Sequence, residues 1–310
     1  MTLSIAMTTY NGERYLREQL DSILLQTVQD WELIVCDDCS TDSTWQILKE
    51  YASRDSRIRI FLNETNFGFV KNFEKAISLS SGDYIALSDQ DDIWEQNHLE
   101  VLLKNIQGNS AAVGNGHIID GPGMLADHLL SDGDKFYHSG DDIDKLFTIL
   151  CYRNPFSGAI SLFTRDLINV ALPIPDFVKF HDVWLASLSC CMKGLNYSYM
   201  PLLKHRIHGK NESGNHNITL SHQIKSIFSK NRKSFHISRI KICDALLERC
   251  SEASDTIKES ILLIKSYHEY LLQGKKLKAI SFMRTFYKKI YSTNNYNQFF
   301  SRCLRALIVG

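Results

Sequence analysis

Two hydrophobic periods alternate along the first ~100 residues of this 310-residue chain, and the alternation constrains its fold more than any other feature. Apolar runs of strand length are separated by segments in which apolar residues recur at helical spacing. The predicted strands are 3–7, 31–36, 58–62 and 84–87, and the predicted helices are 13–26, 45–51, 73–79 and 96–106. Strands joined by helices form right-handed crossovers, so the sequence predicts an α/β fold with a mostly parallel sheet.

Polar clusters stand at the carboxyl ends of three of these predicted strands. The first strand is followed by Thr-Tyr-Asn at 9–11, the second ends in the aspartate pair 37–38, and the fourth ends in Asp-Gln-Asp-Asp at 89–92. The carboxyl ends of parallel strands share one edge of a sheet, where ligands of open α/β folds bind. The sequence therefore predicts that the three clusters converge on one crevice.

The run 89–92 places three carboxylates, Asp89, Asp91 and Asp92, within four residues. Like charges this close repel each other, and burying them unpaired is costly. A divalent cation removes that cost, and oxygen ligands suit Mg²⁺ or Mn²⁺. Such a cation can also hold a diphosphate as a leaving group. The alternative is an exposed acidic first turn of a helix, favoured by the helix dipole, and the two neighbouring clusters favour the metal site.

Aspartates at the end of the second strand, Asp37 and Asp38, suit hydrogen bonds to a base or a ribose, with helix capping as the alternative. The first hundred residues contain neither GxGxxG nor GxxxxGK[ST]. Their absence argues against a dinucleotide-dependent dehydrogenase and against a P-loop enzyme.

The later part of the chain is less regular. Strands are predicted near 111–113 and 156–160, a turn at 121–123, a helix over 181–192, and helices from 221 onward. Asp182 opens the helix at 181, where a carboxylate that faces the crevice could act as a general base, or could merely suit the helix dipole. His205, Arg206 and His208 form a basic cluster that could clamp phosphate or bind a metal, with a solvated loop as the alternative.

The net charge of zero conceals a split between the two parts of the chain. Residues 1–203 carry 15 Lys+Arg and 28 Asp+Glu, a net of −13, whereas residues 204–310 carry 20 and 7, a net of +13. We expect a catalytic domain over 1–215 and a basic helical region over 216–310 that meets an anionic partner. No recognisable nucleic-acid-binding module accompanies the basic residues, so nucleic acid is not the expected partner.

We expect a cytoplasmic protein from the cysteine pattern and from the lack of a predicted signal peptide or membrane span. The eight cysteines fit no zinc pattern, and several lie in apolar stretches, which favours a reducing compartment over a disulfide framework. Neither a signal peptide nor a membrane span is predicted. We expect the basic helices to attach the protein to the anionic inner face of the cytoplasmic membrane, which cosedimentation with anionic vesicles would test.

These motifs resemble family 2 of the inverting glycosyltransferases, which have the GT-A fold. The matching segments are Thr-Thr-Tyr-Asn-Gly at 8–12, Asp-Asp-Cys-Ser-Thr-Asp at 37–42, Asn-Phe-Gly at 66–68 and Ser-Asp-Gln-Asp-Asp-Ile-Trp at 88–94. Segments 181–182 and 205–214 are similar to later motifs of a branch that contains bacterial rhamnosyltransferases. The resemblance covers about two thirds of the chain and implies a GT-A nucleotide-binding fold followed by a C-terminal helical region.

The resemblance also implies roles for individual residues. The residues implied in nucleotide binding are Thr9, Tyr10, Asn11, Glu13, Asp38 (reading the base), Asn66 and Gly68. Asp89 would face the ribose and the metal, Asp91 would bind the metal, and Asp92 would support both. Asp182 would deprotonate an acceptor hydroxyl, although many members have Glu-Asp where this chain has His181-Asp182. Arg206 and His208 would contact the diphosphate or the metal.

The reaction implied by the resemblance is an inverting, Mn²⁺- or Mg²⁺-dependent sugar transfer. The implied donor is a rhamnosyl group on deoxythymidine diphosphate, with a UDP-hexose as the rival, and the implied acceptor is a growing or lipid-linked bacterial surface glycan. Two alternatives remain from the residues themselves. One is a metal-dependent phosphohydrolase that uses the aspartate cluster, and the other is a non-catalytic nucleotide-binding scaffold.

Overall fold

The computed structural model describes residues 2–130, 141–152, 154–208, 231–279 and 281, which are built around one mixed sheet. The strands are β1 Leu3–Thr9, β2 Trp31–Asp37, β3 Ile58–Leu62, β4 Tyr84–Ser88, β5 Ile93–Trp94, β6 Ala111–Asp120, β7 Leu125–Leu129, β8 Ser161–Thr164 and β9 Leu195–Ile207. The helices are α1 Leu16–Leu24, α2 Thr44–Arg54, α3 Phe69–Leu79, α4 His98–Asn105, α5 Asp142–Phe147, α6 Arg165–Ala171, α7 His181–Cys191, α8 Asn231–Arg249 and α9 Asp255–Leu272.

Strands β3, β2, β1 and β4 are adjacent in that order and pair in parallel. Every residue of β1 is buried, because helices cover both faces of this part of the sheet. Ile5 and Met7 pack on one face with Leu20 of α1, whereas Ala6 packs on the other face with Phe73 of α3. This double burial explains why the strands are continuous apolar runs rather than alternating ones.

The predicted α/β fold class is confirmed, and the sheet beyond β4 is mixed rather than parallel. Strand β8 is antiparallel to both β4 and β6, and β9 is parallel to β6 and antiparallel to β5. The predicted turn at 121–123 is confirmed between β6 and β7. The predicted strand at 156–160 is wrong, because Gly158–Ile160 forms a 3₁₀ turn and the strand begins at Ser161. A short apolar run does not distinguish these two conformations.

The long strand β9 fixes the position of the basic cluster at 205–208. Its last part runs antiparallel to β5, with Ile93 opposite Lys204 and Trp94 opposite Leu203. Continued by a few residues, this register sets 205–208 beside the acidic run at 89–92. Two segments more than a hundred residues apart in sequence therefore become neighbours through strand pairing.

Helix α8 packs against α7, and both contribute to one hydrophobic core. Ile242 and Leu246 of α8 belong to the same buried cluster as Val183 and Trp184 of α7. The predicted C-terminal helices are thus present over 231–272. The predicted domain boundary at 215 and many of the basic residues beyond it lie outside the described residues. No described helix combines the length and apolar character that crossing a bilayer requires.

Candidate active site

The loops that follow β1 and β2 are joined by hydrogen bonds at the carboxyl edge of the sheet. The Thr9 hydroxyl donates to the Asp37 carboxylate at 2.7 Å, and the Asp38 backbone N–H donates to the Thr9 carbonyl at 2.8 Å. Asp37 also accepts from the backbone N–H of Ser40 at 2.9 Å. The predicted convergence of the strand-end clusters is therefore confirmed, and Asp37 binds loops together rather than facing a ligand.

Gln90 joins the acidic run to the loop after β1. Its side chain accepts from the Tyr10 N–H at 2.8 Å and donates to the Tyr10 carbonyl at 3.0 Å, a two-point contact with the backbone of one residue. A side chain at position 12 would collide with the Gln90 amide, so Gly12 permits the close approach. The Tyr10 side chain is half exposed and available to a ligand. Sequence reasoning missed Gln90, because nothing in the sequence indicates what a lone glutamine contacts.

Asn11 and Glu13 connect the first loop to the start of α2. Asn11 has a φ of +48° and its side-chain oxygen accepts from the Thr41 N–H at 2.8 Å. The Glu13 carboxylate accepts from the Ser43 N–H at 2.9 Å. Both side chains therefore shape the rim of the crevice through contacts with protein backbone.

Asp38 organises the loop that precedes α3. Its carboxylate accepts from Phe67 N–H at 2.8 Å, from Gly68 N–H at 2.9 Å and from the Asn63 amide at 2.7 Å. Asn66 donates to the Asp38 carbonyl at 3.2 Å. The predicted group of Asp38, Asn66 and Gly68 is thus brought together, with the Asp38 carboxylate 3% exposed and occupied by loop donors.

Asp91 and His208 contact each other directly in the crevice. Their Oδ2 and Nε2 atoms are 2.7 Å apart, and the His208 ring stacks on Tyr15 at a centroid distance of 5.2 Å. Behind them, Asp92 is fully buried and lies 3.0 Å from Nδ1 of His205. Burial lowers the pKa of His205, but the carboxylate of Asp92 outweighs it and raises that pKa to about 9.

Asp89 is half-buried beside these groups. Burial, together with the charges of Asp92 and Asp91, raises the pKa of Asp89 to about 8. Burial and Asp92 also raise the pKa of Asp91. Such shifts mark a concentration of negative charge that the protein does not neutralise fully, as expected where a cation binds.

Arg206 does not face the crevice. Its side chain is 1% exposed and donates to the Asp91 carbonyl at 3.0 Å, the Gly121 carbonyl at 3.0 Å and the Glu18 carboxylate at 2.9 Å. Its guanidinium carbon also lies 4.5 Å from the centre of the Tyr15 ring. This differs from the predicted contact with a diphosphate, because the guanidinium is committed to holding the acidic run against α1.

The donor set fits a hydrated Mg²⁺ or Mn²⁺ ion. Mg²⁺ typically binds one or two protein carboxylates and takes its other ligands from water and phosphate. Asp91 and His208 already touch, and the raised pKa of Asp89 marks unneutralised charge next to them. Within the described part of the chain no three His, Cys, Asp or Glu side chains are arranged as a complete metal site. Asp91 and His208, with Asp89 beside them, are the described residues that could hold such an ion.

Asp182 lies at the first turn of α7. Its carboxylate accepts from the Val183 N–H at 2.7 Å. Burial raises the pKa of Asp182 to about 6, against the opposing effects of the Val183 N–H, Asn154 and the charge of Arg239. After burial and the charges of Asp92 and Asp91, the charge of Asp182 also contributes to the raised pKa of Asp89.

His181 packs into the wall of the crevice. It is buried against Phe73 at a ring-centroid distance of 4.2 Å, and burial lowers its pKa to about 4. A side chain at position 158 would approach its Nε2 to 2.9 Å, so Gly158 makes room for the ring. A neutral, packed imidazole orients the first turn of α7 rather than carrying charge into the site.

A mixed α/β sheet with an acidic crevice at the ends of its parallel strands defines a GT-A fold. The structure of S. aureus TarS 1-349 in complex with UDP-GlcNAc has this fold, with a TM-score of 0.62 over 94% of this chain and 82% of that one at 18% identity. The sequence model of Glycosyl transferase family 2 matches residues 4–158, half of the chain. The protein belongs to glycosyl transferase family 2.

Two curated relatives illustrate the extent of the sequence similarity. Glycosyltransferase GlyA of Streptococcus pneumoniae serotype 4 is 35% identical over 148 residues, which are 47% of this chain and 21% of GlyA. UDP-Glc:alpha-D-GlcNAc-diphosphoundecaprenol beta-1,3-glucosyltransferase WfgD of Escherichia coli is 38% identical over 125 residues, 38% of this chain and 49% of WfgD. The chain thus spans at most about half of the length of these relatives.

Proposed function

We propose that the protein transfers a sugar from a nucleoside diphosphate to a hydroxyl group of a bacterial surface glycan, with inversion at the anomeric carbon. The observation that carries this proposal is the placement of two different kinds of group in one crevice. Asp91 pairs with His208 at 2.7 Å, and Asp182, a carboxylate whose pKa burial raises to about 6, contributes its charge to the same acidic cluster. The first pair suits a leaving diphosphate and the second group suits a general base.

The donor would lie along the loops after β1, β2 and β4. Thr9, Asn11 and Glu13 support these loops, and the exposed Tyr10 is available to the nucleotide. Asp38 would contribute to binding of the nucleotide base indirectly, because its carboxylate holds the loop at 66–68 in place. Asp89 would meet the ribose. A Mg²⁺ or Mn²⁺ ion held by Asp91 and His208 would neutralise charge on the diphosphate.

The transfer would be a single displacement. Asp182 accepts the proton of the acceptor hydroxyl, whose oxygen forms a bond to the anomeric carbon as the bond to the diphosphate oxygen breaks. The nucleoside diphosphate leaves with the bonding electron pair. Because attack and departure occur on opposite faces of the carbon, one step inverts its configuration. The hydrogen bond that the Asp182 carboxylate accepts from the Val183 N–H at 2.7 Å would help to orient it for this role.

The donor and acceptor are narrower proposals. WfgD is named for UDP-Glc and for a lipid-linked GlcNAc diphosphate acceptor, which favours a UDP-hexose and a lipid-linked glycan here. The motifs at 88–94 and 205–208 favour dTDP-rhamnose as the rival donor. The crevice itself distinguishes neither sugar.

A thermal-shift panel of UDP, dTDP and GDP, each with Mn²⁺ or with EDTA, tests the proposed function. We expect one nucleoside diphosphate to raise the melting temperature in Mn²⁺ and to lose most of that effect in EDTA, because binding to the folded state alone stabilises it. The nucleotide that acts identifies the donor class. A flat panel would contradict the proposed transferase and favour a scaffold.

The pH dependence of turnover follows from Asp182. Its pKa is raised to about 6, so the carboxylate is mostly protonated below pH 6 and mostly ionised above it. A general base acts in its ionised form, so turnover at saturating donor is expected to rise about tenfold between pH 5 and pH 7. Initial rates of nucleoside diphosphate release across this range provide the measurement. Turnover that is constant or falls over the same interval would exclude Asp182 as the base.

A further inference from the structure

Arg239 of α8 is a buried arginine that makes no hydrogen bond or ion pair with any residue in the described part of the chain. Its side chain is 9% exposed, and its Nε atom is fully buried and unpartnered there. In the described part of the chain, its guanidinium carbon lies 4.8 Å from the centre of the Phe235 ring. A guanidinium carries five N–H donors, and burying its charge without partners is costly. An unpaired guanidinium in this position therefore indicates a ligand.

Two other arginines that the structure describes have hydrogen-bond partners. Arg249, further along the same helix, donates to the Val170 and Pro173 carbonyls at 2.8 Å each. Arg206 is committed to carbonyl and carboxylate oxygens. Arg239 differs from both, so its lack of partners is a property of its own position.

The position of Arg239 places it beside the proposed base. Ile242 and Cys243 follow it by one helical turn and pack in the core shared with α7. Ser238, its neighbour, donates to the Phe177 carbonyl at 3.4 Å, just before α7 begins. These two contacts put Arg239 near the first turn of α7, where Asp182 lies, and burial raises the pKa of Asp182 against the opposing charge of Arg239.

We propose that Arg239 forms a subsite for an anionic group of the acceptor, either a carboxylate or a phosphate, next to Asp182. This inference rests on the proposed function, which puts the acceptor hydroxyl at Asp182. The ring of Phe235 supports the guanidinium, whose free N–H groups suit two-point binding of either anion. The donor diphosphate is assigned to Asp91 and His208 instead, so the two anions occupy different parts of the crevice.

Nuclear magnetic resonance of the full chain labelled with ¹⁵N-arginine tests the subsite directly. The Arg239 Nε–H signal is assigned by its loss in Arg239→Lys, and inorganic phosphate or glucuronate is added at constant ionic strength. We expect a saturable shift of the Arg239 signal with at least one anion, while the Arg249 signal stays in place because both of its terminal nitrogens already donate to carbonyl oxygens. The anion that acts distinguishes a phosphate-bearing acceptor from a carboxylate-bearing one. Absence of a saturable Arg239 shift with both anions would overturn the proposal.

Two matched variants distinguish anion binding at a specific subsite from attraction of the anion by the overall positive charge of α8. Arg239→Met is expected to weaken binding of the active anion by about tenfold or more, since hydrogen bonds to charged groups are lost. Lys241→Met removes one positive charge from the same helix and is expected to bind the anion like the wild type. Equal losses in the two variants would overturn the subsite. Arg239→Lys, which keeps the charge, provides the comparison if Arg239→Met fails to fold.

The UDP, dTDP and GDP panel in Mn²⁺ distinguishes the failure of this inference from failure of the proposed function. We expect Arg239→Met to show the same nucleotide-dependent rise in melting temperature as the wild type. If the wild type binds a nucleotide and neither anion shifts Arg239, the subsite is wrong and the transferase proposal stands. If the wild type binds no nucleotide, the proposed function is contradicted, and the subsite loses the acceptor on which it rests.

Discussion

Asp182→Asn is expected to lower turnover by about 10²–10⁴-fold, the usual contribution of a general base. Asparagine keeps the shape of the side chain but does not accept the acceptor proton. The carboxylate is raised to a pKa of about 6 by burial, so at neutral pH it is an ionised base of moderate strength. Nucleoside diphosphate release from the sugar donor measures the effect, since both transfer and hydrolysis release this product.

The fold provides a close control for this variant. Asp176 precedes α7, is 91% exposed and pairs with Lys71 at 2.9 Å, so Asp176→Asn is expected to retain wild-type turnover. Burial makes ionised Asp182 unfavourable for folding at neutral pH, so Asp182→Asn is expected to keep or raise the melting temperature. Wild-type turnover in Asp182→Asn would show that the base is another group.

Asp91→Ala is expected to reduce Mn²⁺-dependent turnover by more than about 100-fold, to the level of the wild type in EDTA. Loss of a partner that merely orients a metal ligand typically costs 10–100-fold, and loss of a ligand itself should cost more. Asp91 is the carboxylate that touches His208, so the variant removes the carboxylate from this pair. Nucleoside diphosphate release across a Mn²⁺ titration is the measurement.

The control for Asp91→Ala is an acid at the other end of the sheet. Asp30 is exposed just before β2 begins, far from the carboxyl edge, and Asp30→Ala is expected to respond to Mn²⁺ like the wild type. A response of Asp91→Ala that matches the wild type at every Mn²⁺ concentration would exclude Asp91 as a metal ligand.

Sequence patterns predicted the part of the site that is formed by residues close together in the sequence. The strands β1, β2 and β4 are continuous apolar runs, and their ends carry the polar clusters that meet in the crevice. Boundaries differed by a few residues, as for α1, which spans Leu16–Leu24 rather than 13–26. Helix ends depend on capping contacts with other loops, which a hydrophobic period does not encode.

The remaining contacts depend on segments distant in sequence. Gln90 holds the Tyr10 peptide, and Arg206 reaches Glu18 across 188 positions. Arg206 was predicted at the diphosphate, but the register of β5 and β9 sets its backbone N–H against Asp92 and turns its side chain inward. Arg239 lies in a helix that no motif covered, and its nearness to Asp182 follows from packing of α8 on α7. Such contacts arise from tertiary packing, which hydrophobic periodicity and short motifs do not specify.

The separate roles proposed for Asp91 and Asp182 are tested most directly by the donor affinities of Asp91→Ala and Asp182→Asn. Calorimetric titration of Asp182→Asn and Asp91→Ala with the active sugar nucleotide in saturating Mn²⁺ measures it. We predict that Asp182→Asn binds the donor like the wild type, whereas Asp91→Ala shows only the weak binding seen in EDTA. Equal affinities in the two variants, whether both retained or both lost, would contradict separate roles for Asp91 at the leaving group and Asp182 at the acceptor.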